Sequence, residues 1–166
     1  LIGAVIMVHG DERGVKLPPK IAPVQVVIVP IAMNKEGVLD KANQIAKTLE
    51  QGGIRVFVDS TDATPGWKFN QWEMKGVPLR LEVGPRDIEN NNVVLVRRDN
   101  HQKTVVSQNG LSETVCNMLE DIQTNMYQIA KDFVDGNTRE VSTMQQLVEC
   151  IANKNVAKAY HHPFFL

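Results

Sequence analysis

Both tryptophans of the chain lie in one short stretch, GWKFNQWEMKGVPLRLEVGPRD, from Gly66 to Asp87, together with Phe69 and charges that alternate in sign. Carboxylates set beside guanidinium and ammonium groups suit a ligand edge that both donates and accepts. Guanine has such an edge: its N1–H and N2–H₂ groups donate to a carboxylate, and its O6 and N7 accept from arginine or lysine. Bases splayed out of a single-stranded loop stack on aromatic faces, which Trp67, Phe69 and Trp72 offer. A plain structural reading stands beside this one. Tryptophans five residues apart anchor cores, and mixed charges near strand ends form solvated ion pairs.

The flanking sequence predicts the elements that would hold these groups. LPPKIAP reads as an extended, proline-rich linker, and QVVIVPI (25–31) as a strand buried on both faces of a parallel sheet. Apolar residues at Val38, Leu39, Ala42, Ile45, Ala46 and Leu49 have helical spacing, and Gly52-Gly53 ends that helix. IRVFVD (54–59) is a second strand, and Thr64 to Met74 a short helix opened by Pro65. LRLEV (79–83), NVVLVRR (92–98) and KTVVS continue as strands, the last two joined by the turn DNHQ. A long amphipathic helix follows from Ser112, its predicted N-cap, to Val134, with Gly136 closing it. EVSTMQQLVECIANKNVAKAY repeats strand, helix, strand in miniature. The expected fold is therefore α/β, a five-stranded mixed sheet flanked by helices.

Composition narrows the function classes. At 166 residues, 43% hydrophobic and 22% charged, the chain is globular in character, with no apolar run near the roughly 18 residues of a membrane span. The apolar opening LIGAVIMV lacks a basic flank and a cleavage site, and it reads as an internal strand of a longer protein. Cys116 and Cys150 lack metal or redox spacing and read as buried thiols of a reducing compartment. His9, His101, His161 and His162 are not spaced with cysteine as zinc ligands. No phosphate-cradling glycine loop is present. The net charge of −1 conceals an asymmetry: 66–103 carries a balance of +2, and 110–150 one of −5. That suggests an anion-facing middle, too weakly basic for bulk duplex DNA.

The stretch KFNQWEMKGVPLRLEVGPRDIENNNVVLVRRD, with LPPKIAPVQVVIVPI upstream, resembles the anticodon-binding domain of prolyl-tRNA synthetase of the archaeal and eukaryotic type, and the likeness runs through nearly the whole chain. The resemblance implies the class II aminoacyl-tRNA synthetase anticodon-binding fold. It also implies three segments: 1–22 as the tail of a class II catalytic domain and linker, 23–136 as the anticodon-binding domain, and 137–166 as the truncated start of a zinc-binding-like C-terminal domain. LIGAVIMVHGDERG resembles the strand that continues from the third signature motif, whose arginine would lie just before Leu1. VAKAYHHPFF resembles the beginning of the C-terminal domain, although His161-His162 departs from the usual small residues. No cysteines follow, so a zinc site in the parent protein is left open and no metal ligand is assigned here.

By this resemblance the parent is a cytoplasmic homodimer, joined through its catalytic domain, that ligates proline to tRNA(Pro) with ATP and magnesium. The present portion would carry neither catalytic residues nor a cofactor, and neither membrane nor DNA is an expected partner. Its implied task is to grip the anticodon. Proline codons begin CC, so all proline anticodons end in two guanines. In the family, the glutamate of WE(L/M)KG, the arginine after GVP and a lysine on the hairpin beyond VLVRR contact those guanines. The matching positions here are Glu73, Arg80 and Lys103, and the aromatic of the KF segment matches Phe69, a stacking surface. Arg86 would contact the anticodon or backbone, or else bridge to Asp87 or Glu82. Lys75 is a phosphate contact or a solvated charge, and Trp67 and Trp72 anchor the short helix. The alternative functions are an anticodon-like domain reused as a non-catalytic RNA- or protein-binding regulatory module, and a flavodoxin-like enzyme suggested by element order alone.

Overall fold

A computed structural model describes residues 2–160. The chain divides into two compact units, Leu1–Met126 and Tyr127–Leu166. The first opens with helix α1 (Ile2–His9) and a small antiparallel hairpin, β1 (Gly10–Asp11) and β2 (Gly14–Val15). Then come β3 (Val26–Pro30), α2 (Val38–Gln51), β4 (Val56–Val58), α3 (Pro65–Met74), β5 (Leu79–Val83), α4 (Pro85–Glu89), β6 (Asn92–Arg97) and β7 (Lys103–Ser107). Helix α5 runs from Leu111 to Asn137. The five-stranded sheet has the order β4-β3-β5-β6-β7, parallel across its first three strands and antiparallel across the rest.

Strand β3 is buried along its whole length because helices cover both of its faces. Val26 and Ile28 join the core formed with Ala42, Ile45 and Leu49 of α2 and with Val115, Leu119 and Ile122 of α5. Val27 and Val29 pack instead against Trp72 and Val77 beside α3. Strand β5 repeats this alternation with different chemistry. Leu79, Leu81 and Val83 enter the larger core, so Arg80 and Glu82 must project from the opposite face. Strand register then aligns Val27, Arg80, Val96 and Lys103 in one row across β3, β5, β6 and β7.

Helix α3 is fixed over that face by one buried polar cluster. Lys68 and Trp72, four residues apart, share the inward side. Trp72 Nε1 donates to Asp59 Oδ2 at 2.7 Å, and Lys68 Nζ donates to the Asp59 carbonyl at 3.0 Å and lies 3.7 Å from its carboxylate. Trp67 does not share this role. It is 53% exposed while Trp72 is 8% exposed, because five residues turn a helix by roughly 140° beyond a full revolution. The sequence expectation that both tryptophans anchor the helix therefore holds for Trp72 alone.

Other expectations change in the same way. LIGAVIMV is a strand in the sequence reading, yet Ile2–His9 is helical with no buried residue. An eight-residue apolar run is ambiguous in period, and among the described residues no strand pairs with it, so the helix satisfies its own backbone groups. LPPKIAP is not extended throughout: the amides of Ile21 and Ala22 both donate to the Pro18 carbonyl, and Arg55 donates to the Ala22 and Pro19 carbonyls. Ser112 lies inside α5 and is not its N-cap, because the helix begins at Leu111, a buried residue. Nor does Gly136 close α5. Asn137 Nδ2 and Thr138 Oγ1 donate to the Phe133 and Val134 carbonyls, which terminates the helix with polar side chains. The turn at GPRD is the short helix α4, where the Gly84 amide donates to Asp87.

The second unit contains the end of α5, β8 (Thr138–Glu140), α6 (Met144–Ala152) and β9 (Val156–Lys158), with β8 and β9 parallel. Thr143 and Gln146 cap α6 reciprocally. Val141 and Cys150 are buried, but Ile129 and Phe133, inward-facing in the helical pattern, are exposed. His161 and His162 lie outside the described residues. Among the described residues no helix is long and apolar enough to cross a membrane, and no cluster of metal-ligating side chains occurs.

Asp59→Ala would leave Lys68 buried without its counter-charge and is expected to destabilise the chain by about 3–5 kcal/mol. Trp67→Ala is expected to stay within about 0.5 kcal/mol of the parent. Urea titration of both variants checks the contrast.

Candidate nucleic-acid interface

Helix α3 covers the β3 end of the sheet face that carries Arg80, while the part formed by β5, β6 and β7 stays open enough for Lys103 and Val105 to be exposed. On α3, Phe69 and Glu73 are four residues apart and therefore share one side. The Arg80 guanidinium lies 4.0 Å from the centre of the Phe69 ring. Arg80 Nη1 donates to Glu73 Oε1 and Arg80 Nε to Glu82 Oε1, each at 3.1 Å. Lys103 Nζ completes the set by donating to Glu82 Oε2 at 2.9 Å. Phe69, Glu73, Arg80 and Lys103, drawn from three separate segments, are thus brought into one network.

Two members of this neighbourhood escaped sequence reasoning. Glu82 ties Arg80 to Lys103, and its alternation with Arg80 in LRLEV was the available signal. Arg13, from the turn between β1 and β2, donates to Glu73 Oε2 at 3.4 Å, and no local pattern links residues sixty positions apart. The two remaining candidates stand aside. Lys75 lies over the Trp72 ring at 4.2 Å, outside the Glu73 network. Arg86 is exposed on α4, and neither proposed bridge forms: Asp87 accepts from the Gly84 amide, and Glu82 is occupied by Arg80 and Lys103.

A second ion cluster holds the turn that carries Arg13. Arg98 is buried, donates to both Asp11 carboxylate oxygens at 2.7 Å, and donates through Nε to the Glu73 carbonyl at 3.1 Å. The charged fork adds a second donor to an end carbonyl of α3, which also accepts from the Gly76 amide, and clamps the hairpin to the helix. The Arg98 hydrogen bonds hold the Asp11 carboxyl far below the usual carboxylate range, against the opposing effect of burial. Asp59 is also lowered: burial would raise it, but donors from Thr61 and Trp72 and the charge of Lys68 prevail.

What the network offers a ligand follows from its unused valences. Among the described residues Arg80 Nη2 has no hydrogen-bond partner, and each carboxylate oxygen can accept more than one donor. Donors and acceptors therefore sit side by side next to an aromatic ring on an open sheet. A family model described as "Anticodon binding domain" matches residues 25–118, which span the sheet and every residue of this network except Arg13. The chain belongs to the anticodon-binding domain family. Among curated relatives, a "Proline--tRNA ligase" of Clostridium novyi is 54% identical over 154 residues, covering 93% of this chain and 32% of the relative. One of Acetoanaerobium sticklandii is 58% identical over 139 residues, 83% of this chain and 29% of the relative. A third, of Clostridium botulinum strain Loch Maree, is 50% identical over 154 residues. The chain spans about a third of the length of these relatives.

Because Asp11 and Asp59 are held below their unfolded values, each contributes stability that is complete above the unfolded aspartate range near about pH 3.9 and is lost as the pH falls toward the folded value. Asp11→Asn is expected to lower the urea midpoint at neutral pH and to make the decline in stability below about pH 5 shallower than in the parent. Acid limbs of equal slope would show that the Asp11–Arg98 pair is not linked to folding.

Proposed function

We propose that this domain is the anticodon-reading portion of a proline--tRNA ligase, of the archaeal and eukaryotic type that its sequence resembles, and that it grips the two guanines of proline anticodons. The observation that supports this most is the Arg80 guanidinium, seated on Phe69 between Glu73 and Glu82 with Lys103 alongside. A guanidinium plane laid on an aromatic ring, with donors and acceptors paired beside it, is what a splayed guanine requires. The cations are nearly matched by carboxylates, so recognition rests on edge pairing more than on bulk attraction of phosphate. Ligation of proline, with its ATP and magnesium, the cytoplasmic setting and dimerisation belong on this reading to the remainder of a longer protein. The 166-residue chain alone is then expected to show no proline-dependent exchange between ATP and pyrophosphate.

The decisive test is a titration with anticodon stem-loops carrying GG or single substitutions, at two salt concentrations, with folding checked by circular dichroism. Glu73→Ala, Arg80→Ala and Lys103→Ala are each expected to lose about 1–3 kcal/mol of discrimination at one guanine. Lys75→Ala and Arg86→Ala are expected to weaken all loops alike and to lower the salt slope by about one unit, as phosphate contacts do. Unchanged discrimination in all three of the first set would overturn the reading.

A further inference from the structure

Glu73 is held from two sides, and its two partners differ in kind. Arg80 approaches Oε1 from the sheet and is largely buried, whereas Arg13 approaches Oε2 from the β1–β2 turn with 60% of its side chain exposed. That turn is firmly seated. Besides the Arg98 clamp, Gly14 has a φ of +126° and lies so close to α3 that an added Cβ would stand 2.8 Å from Met74 Cα. The Leu17 amide donates to the Gly76 carbonyl at 3.1 Å, just beyond the same helix. Between turn and helix opens a cleft of about 620 Å³, lined by Asp11, Arg13, Asn70, Glu73 and Met74. Its volume falls within the roughly 300–1,000 Å³ of small-ligand clefts.

A carboxylate offers about four lone-pair positions, and the two arginines occupy one each. Two acceptor positions therefore remain on Glu73, beside the other guanidinium N–H groups of Arg13. A donor next to two acceptors is the edge that cytosine presents to guanine: the donor meets O6, and the acceptors take N1–H and N2–H₂. We infer that Arg13 and Glu73 together form a cytosine-like edge in this cleft that reads one guanine base, with Arg13 as a specificity-determining residue. The inference deepens the function proposed above and rests on it. Arg80 Nη2 and Lys103, on the far side of the network, remain for the second guanine.

The test uses the 166-residue chain and its Arg13→Ala variant, titrated at two salt concentrations with stem-loops carrying guanine, adenine or inosine at each anticodon position. Adenine replaces O6 by a donor, while inosine keeps O6 and N1–H but lacks the N2 amino group. At one position Arg13→Ala is expected to lower the preference for guanine over adenine about tenfold or more. The preference for guanine over inosine there, read by Glu73, should persist, and so should the salt slope. Arg13→Lys, which retains a donor, should restore part of the lost preference. Equal weakening of every loop with a shallower salt slope would make Arg13 a phosphate contact and overturn the inference. Tighter binding by Arg13→Ala would overturn it too, since the side chain would then merely block Glu73. A parent chain that shows no preference for GG would instead overturn the proposed function itself, which separates the two failures.

Discussion

Strand β5 sits at the centre of the sheet, and the two-residue period of a strand leaves it no freedom in what it shows to each side. With Leu79, Leu81 and Val83 committed to the core, Arg80 and Glu82 are committed to the other face. A slip of one residue would bury both charges among the side chains of α2 and α5, so core packing enforces the placement of the polar pair. The register with β6 and β7 then carries Lys103 into the row of Arg80, across Val96. Apolar burial thus positions the polar network, although its charged members lie outside the larger apolar core.

The other half of the network arrives on α3, whose attachment is of a different type. A helix docked only by greasy contacts can slide, whereas Asp59 imposes direction by receiving the Trp72 indole and lying against the Lys68 ammonium. Burying such a pair costs desolvation that the Coulomb attraction barely offsets. Its return is orientation: with Lys68 and Trp72 turned inward, Phe69 and Glu73 have to face Arg80. Arg98 performs the matching function at the other end of the helix, where one guanidinium holds an α3 carbonyl, the Asp11 carboxylate and the Gly14 carbonyl together. Charged side chains here act as struts, and the open face is left to those whose partners are incomplete.

This division is how a chain with a net charge of −1 can carry the proposed interface for RNA. The acidic excess of 110–150 falls on α5 and on the second unit. Within the network, Glu73 and Glu82 offset two of the three positive charges of Arg80, Arg13 and Lys103, and the pairing orders the side chains before any ligand arrives. Pre-ordered groups lose less entropy on binding, at the expense of a weaker long-range field.

Much of the fold was legible because local chemistry and tertiary packing agree. The helical spacing of Val38 to Leu49 with glycines after it marked α2, and LRLEV and KTVVS matched β5 and β7, since period and turn residues are properties of short segments. Resemblance carried the reading to Glu73, Arg80, Lys103 and Phe69, which the structure brings together. Local pattern failed where partners decide the outcome. Ile2–His9 has strand-like composition but no strand paired with it among the described residues, and Trp67 differs from Trp72 only in which side of α3 meets Asp59. Arg13, Arg98, Asp11 and the Asp59–Lys68 pair were invisible for the same reason. The sequence by itself determined the elements and the types of charge available. Only the tertiary structure decided which charges meet, because ion pairs join residues by distance in space, and distance in space between remote segments is set by the sheet register and the docking of α3.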